Sequence, residues 1–131
     1  MSKENVETAL KAYASFMEGD LTTVLQQFDP EVVSYTAAPL DPAEYHGHEG
    51  FLQWCENWID AFDEFAMVVE SHVEVGEAVV LRVRQRATGA ASGVPVARTF
   101  WFLHRFRGGR ITQIGIHATE EQALEAAGLR E

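Results

Sequence analysis

Beyond residue 64 the hydrophobic pattern changes period, and that change constrains the fold more than any other feature of the chain. Phe65–Val75, Ala78–Thr88, Val94–Phe106 and Ile111–Ala118 read as four long strands, rich in β-branched and aromatic residues. Their separators, Gly76-Glu77, Gly89-Ala90-Ala91-Ser92-Gly93 and Gly108-Gly109, carry turn chemistry. Glycine supplies the positive φ that tight hairpins need, so the second half predicts an antiparallel meander.

The first half repeats at helical spacing instead. Val6, Ala9, Leu10, Tyr13, Phe16 and Met17 predict an amphipathic helix over 4–18, stopped at Gly19-Asp20. Leu21, Val24, Leu25 and Phe28 predict a short second helix ended by Asp29-Pro30, with Val32–Ala37 as a strand after it. Pro39, Pro42 and Gly47 break the following loop around a short extended piece at Glu44-Tyr45-His46. Glu49–Phe62 predicts a third helix with one wide apolar face. A last short helix starts at Thr119, an N-cap followed by glutamates, and runs to Ala127-Gly128. Helices first and strands afterwards give an α+β fold in a single domain over residues 1–131. Three N-terminal helices should wrap one face of a curved antiparallel sheet, leaving a cone-shaped cavity between them.

Composition narrows the function classes. With 20 acidic and 10 basic residues the formal charge is −10, which argues against nucleic acid or an anionic membrane as partner. The charge is segregated: residues 1–81 hold 16 acids and only Lys3 and Lys11, whereas residues 82–131 hold eight arginines and four acids. One cysteine, Cys55, rules out an internal disulfide framework and a cysteine-rich metal site. His46 and His48 alone do not make a metal site and read as a polar loop around Gly47. With no phosphate-binding glycine loop either, no cofactor is expected. Neither a signal peptide nor a run long enough to span a bilayer is evident, so the expected location is cytoplasmic.

Several phrases together resemble the SnoaL-like family of the nuclear transport factor 2-like superfamily. They are Tyr13–Asp20, Tyr45–Gly50 with Trp54 and Trp58 after it, Ser92-Gly93-Val94, Phe106–Ile111 and Glu121–Leu129. The resemblance implies the cone-shaped fold far more specifically than a function, because similar proteins include polyketide cyclases, ketosteroid isomerases, epoxide hydrolases, dehydratases and non-catalytic binding domains. Where a steroid isomerase would place its two acids, this chain has Tyr35 and Phe102. The pocket tyrosine of that family falls near Ala12 rather than Tyr13, one residue away. Paired sheet carboxylates of the epoxide-hydrolase kind are also missing, since no acid lies between Glu77 and Glu120.

What remains is a candidate pocket of aromatics, a histidine and arginines. In the strand Val94–Phe106 the resemblance turns Arg98, Phe100, Phe102, His104 and Phe106 into the cavity. It turns Trp101 and Leu103 onto the outer sheet face, where apolar side chains suggest a homodimer. His104 is the candidate general acid or base, with an ordinary buried core histidine as the competing reading. Tyr35 is the candidate hydrogen-bond donor, and Phe16, Trp54, Trp58 and Phe62 are candidate walls beside Phe100 and Phe102. His117 reads as outward-facing and His72 as surface.

Arg82, Arg84 and Arg86 share one strand face, and two readings stay open. Hydrophobic patterning puts them outside, with a three-residue turn setting Arg82 opposite Glu70. A two-residue turn at Gly76-Glu77, which the resemblance favours, turns them inward, so that Arg84 and Arg86 would hold an enolate or carboxylate. The resulting expectation is a pocket protein for a small hydrophobic molecule. Its first reading is a cofactor-independent proton-transfer enzyme, an isomerase, cyclase or dehydratase acting on a small hydrophobic carbonyl compound, with His104, Tyr35 and Arg84 as its machinery. Its second is a non-catalytic ligand-binding or dimeric scaffold domain.

Overall fold

The computed structural model describes residues 2–60 and 62–128, except for the side chains of Ser2, Trp58 and residues 62–65. Its elements run α1 (Ser2–Met17), α2 (Leu21–Gln26), β1 (Phe28–Thr36), β2 (Ala43–His46), α3 (Gly47–Asp60), β3 (Phe62–Val75), β4 (Ala78–Gly89), β5 (Pro95–Arg107), β6 (Arg110–His117) and α4 (Glu120–Ala127). The strands form one curved, unclosed six-stranded sheet in the order β2-β1-β6-β5-β4-β3. The meander β3–β6 is antiparallel throughout, as its glycine turns require. β1 departs from a purely antiparallel sheet. It pairs antiparallel with β2 but parallel with β6, and the long connection that a parallel pair needs is supplied by β2, α3 and the rest of the meander.

Local capping matches the composition of the turns. Asp20 caps α2, its carboxylate accepting from Thr23 N at 3.1 Å and Thr23 Oγ1 at 2.6 Å. Thr119 caps α4, accepting from Gln122 N at 3.2 Å, and Gly128 ends it at φ 104°. β1 begins at Phe28, earlier than Pro30 suggests. Its pairing with β6 is irregular between Phe28 and Val33, and a proline without an N–H is tolerated inside such an irregularity. No helix among the described residues is long and apolar enough to cross a membrane.

Hydrophobic clusters fill both sides of the sheet. Inside the cone, α1, α2 and α3 bury Val24, Phe28, Val32, Phe51, Trp54, Phe100, Ile111, Ile114 and Ile116 in one cluster, with Val6, Ala9, Met67, Val79, Leu81 and Val83 in a second. On the outer face α4 lays Ala123 and Ala127 over Ala78, Val80 and Leu103. Leu103 is therefore fully buried by its own chain, and its apolar side chain does not require a second copy to cover it.

The arginine question is decided by β3. The β3–β4 turn has two residues, Val75 pairing with Ala78, and yet Arg82, Arg84 and Arg86 all lie exposed on the outer face. A register shift lets both hold: Ser71 pairs with Arg82 but Val69 with Val83, leaving Glu70 extra. Such a bulge switches the side of the sheet to which every later side chain points. Val73 and Val75 thus lie on the outer face with Val80 and Ala78, while Met67 and Val69 join the inner core. Glu70 receives Arg82 Nε at 3.1 Å and Arg84 Nη1 at 3.6 Å. All three side chains are about a third or more exposed, so the charge lattice adds little stability. Replacing Glu70 by glutamine is expected to shift stability by less than ~1 kcal/mol in urea denaturation, with the difference shrinking further in high salt.

Candidate functional site

The cone encloses a cavity between α1, α2, α3 and the inner sheet face. Its wall is Ala12, Tyr13, Phe16, Val24, Phe28, Phe51, Trp54, Cys55, Met67, Leu81, Phe102, His104, Ile114 and Ile116. The space measures about 650 Å³ including its open mouth, and the centre of a water-sized sphere moves freely through about 70 Å³ of it. Almost no polar atom is exposed on its surface.

The polar side chains in the wall are each withdrawn from that surface for a physical reason. Tyr13 donates its hydroxyl to the carbonyl of Met67, pinning α1 to the edge strand, and burial raises its pKa. Burial pushes the Cys55 thiol up to about 12, so it stays protonated and unreactive. Trp54 donates from Nε1 to Thr36 Oγ1 at 3.0 Å, behind the wall rather than into the cavity. His104 is 3% exposed, and burial pushes its pKa down to about 4, partly offset by the backbone of Val79 and Phe102. The imidazole is therefore neutral at neutral pH. Its Nδ1 is buried without a hydrogen-bond partner in the chain.

Of the residues singled out in the sequence, the structure brings together Phe16, Trp54, Phe102 and His104 around this cavity. Phe100 lies in the core cluster next to it rather than in its wall. The side chains of Trp58 and Phe62 lie outside the described residues. Three expectations are corrected. Arg84 and Arg86 are exposed on the far side of the sheet, for the reason given by the Glu70 bulge, and reach no cavity ligand. Tyr35 also points away from the cavity. In β1 the inner face is Val32, Ser34 and Thr36, because the bulky Phe51 and Trp54 of α3 leave room only for small side chains there. Tyr35 lies instead over Gly115 of β6, whose missing side chain makes the space for its ring.

Sequence reasoning passed over Tyr13, Met67, Cys55, Leu81, Ile114 and Ile116 as wall residues. Each sits on an apolar face at helix or strand spacing, where wall and plain core carry the same signal. Tyr13 alone had a pointer, its position one residue from the family's pocket tyrosine. Among the described residues no three His, Cys, Asp or Glu side chains cluster as metal ligands.

An open cone with an apolar interior of this kind defines the nuclear transport factor 2-like class. Residues 9–114 match the model of the SnoaL-like domain, and the chain belongs to that family. Solved structures show the same fold over almost the full length. An NTF2-like protein of unknown function from Burkholderia pseudomallei is 22% identical with a TM-score of 0.80, covering 98% of this chain and 99% of its own. A provisionally assigned SnoaL-like polyketide cyclase from a Jannaschia species is 17% identical with a TM-score of 0.80, covering 99% and 95%. TerC, co-crystallised with polyporic acid, is 19% identical with a TM-score of 0.79, covering 95% and 98%. No curated protein matches the sequence.

Proposed function

We propose that the chain is a small-molecule pocket protein that holds an uncharged, predominantly apolar compound of one or two rings in its cone. The single observation behind this reading is a cavity wall built from aromatic and aliphatic side chains with almost no polar surface. Such a wall rewards burial of apolar area and penalises a charged ligand, which would lose its hydration without a partner. The positions of Arg84 and Tyr35 outside the cone take away the groups that would stabilise an enolate, which favours binding over catalysis. Proton transfer on a small hydrophobic carbonyl compound keeps one specific support, the neutral His104 in the wall. A pKa near 4 makes that imidazole a weak base, so any such chemistry rests on a substrate already acidic at carbon.

Paired probes separate these readings. 1-Naphthol is expected to quench tryptophan fluorescence saturably and raise the melting temperature, whereas 2-naphthoate at neutral pH binds at least about tenfold more weakly in the part of the response that filling the cone removes. Filling the space by Ala12→Phe, or separately by Ile116→Phe, should abolish the 1-naphthol response in a folded protein. Equal binding of the carboxylate that the filled variants abolish, or an undiminished 1-naphthol response in both of them, would overturn the assignment. For catalysis the readout is deuterium exchange α to the carbonyl of 2-tetralone in D₂O. Exchange above background that disappears in His104→Gln would establish proton transfer.

A further inference from the structure

The outer sheet face carries a second polar constellation that the cavity does not use. Tyr35 Oη and His117 Nε2 lie 2.6 Å apart, their rings edge to face at 5.3 Å. The pair is built in. A Cβ at Gly115 would stand 2.0 Å from Tyr35 Cζ, so the tyrosine occupies that position only because residue 115 has no side chain. His117 is 5% exposed, and Trp101 faces it from the paired position on β5. Both keep a buried nitrogen, His117 Nδ1 and Trp101 Nε1, without a hydrogen-bond partner in the chain. Buried polar atoms are paired in the great majority of cases, so two orphans on directly opposed residues mark a place where a partner belongs.

The chemistry of the partner follows from the donors. An indole N–H only donates, and the guanidinium of Arg82, 5.8 Å over the Trp101 ring, adds positive charge beside it. Arg105 reaches the same face and acts electrostatically on Tyr35, while donating to the Ala126 carbonyl of α4. When Tyr35 donates to Nε2, His117 carries its proton on Nδ1 and becomes a second donor. β4, β5 and β6 contribute no acid here. On the flanking strands Glu44 meets His46 at 2.9 Å and Glu70 meets Arg82 and Arg84, while Glu31 of β1 and Glu120, Glu121 and Glu125 of α4 are exposed to solvent. We propose that this face holds a subsite for a small carboxylate, its oxygens accepting from His117 Nδ1 and Trp101 Nε1 with Arg82 and Arg105 supplying the field. Two donors on adjacent strands match a planar two-oxygen acceptor. This subsite lies across the sheet from the cone and stands independently of what the cone binds.

Acetate is the probe, titrated at constant ionic strength against chloride, with the Trp101 indole N–H followed by ¹H–¹⁵N NMR and assigned by Trp101→Phe. The expected result is a saturable shift with acetate and none with chloride. Affinity should fall about tenfold in His117→Phe, whose ring keeps the packing but has no nitrogen. Should that variant fail to fold, Tyr35→Phe serves instead, because it frees the tautomer of His117 while keeping the ring. An indole insensitive to acetate, or one moved equally by chloride, overturns the proposal. So does an indole blind to acetate but shifted by Gln122→Leu, since α4 would then supply the acceptor through Gln122 Oε1, itself buried and unpartnered. A shifted resonance that is present without acetate and reverts on dilution also overturns it, by assigning the carboxylate to a second copy of the chain.

Discussion

Gly115→Ala is expected to destabilise the fold by about 3 kcal/mol, a large effect for the addition of one methyl group. The backbone at Gly115 lies outside the left-handed region, so alanine meets no conformational penalty there. The whole effect is steric. The new Cβ would stand 2.0 Å from Tyr35 Cζ, 2.2 Å from Cε1 and 2.5 Å from Oη, within the ring rather than beside a flexible chain end. Tyr35 must swing away, which also breaks its contact with His117 at 2.6 Å and leaves a further buried nitrogen unpaired. Urea denaturation of a double-mutant cycle with Tyr35→Ala checks the mechanism. If the ring is the obstacle, Gly115→Ala changes little once Tyr35 is gone, and the double variant is more stable than Gly115→Ala alone. Additive effects would mean that the methyl group clashes with something else.

The second large effect is a loss of stability in mild acid, centred on His104. An imidazole has an ordinary pKa of 6.5, and burial pushes this one down to about 4 in the folded chain. The folded state therefore resists a proton that the unfolded state accepts. The contribution is fully present above pH ~6.5 and is lost progressively as the pH falls towards ~4. By pH 4 the loss reaches roughly 3 kcal/mol, a sizeable part of a small domain's total stability. His117 is shifted in the same direction by its own burial and steepens the decline. Denaturation curves at pH 7 and pH 4.5 should differ markedly in the wild type and by much less in His104→Leu. An equal slope in that variant would assign the acid sensitivity to other groups.

These two residues also mark how far the chain could be read before it was seen folded. His104 was legible. Its strand alternates Phe100, Phe102, His104 and Phe106 against Trp101, Leu103 and Arg105; a period of two fixes which residues share a face, and the resemblance to the SnoaL-like family turned that face into the cavity. The helices, the glycine turns, both N-caps and the cone itself were legible on the same grounds, because each follows from local spacing and turn chemistry. Tyr35 was not, because an isolated strand does not say which face will meet a helix. That depended on Phe51 and Trp54 arriving from α3 and on Gly115 arriving from β6, 80 residues downstream of Tyr35.

The segregation of charge shows the same boundary. Sequence alone determined that the acids gather in the first 81 residues and that eight arginines follow. It determined as well that Arg82, Arg84 and Arg86 share one face of one strand. Only the tertiary structure decided that this face looks outward. The two-residue turn at Gly76-Glu77 favoured the inward reading, and the single extra residue at Glu70 reversed it. A bulge is a property of two strands in register, and no local pattern encodes whether a residue such as Val75 packs with the α4 cluster or in the cone.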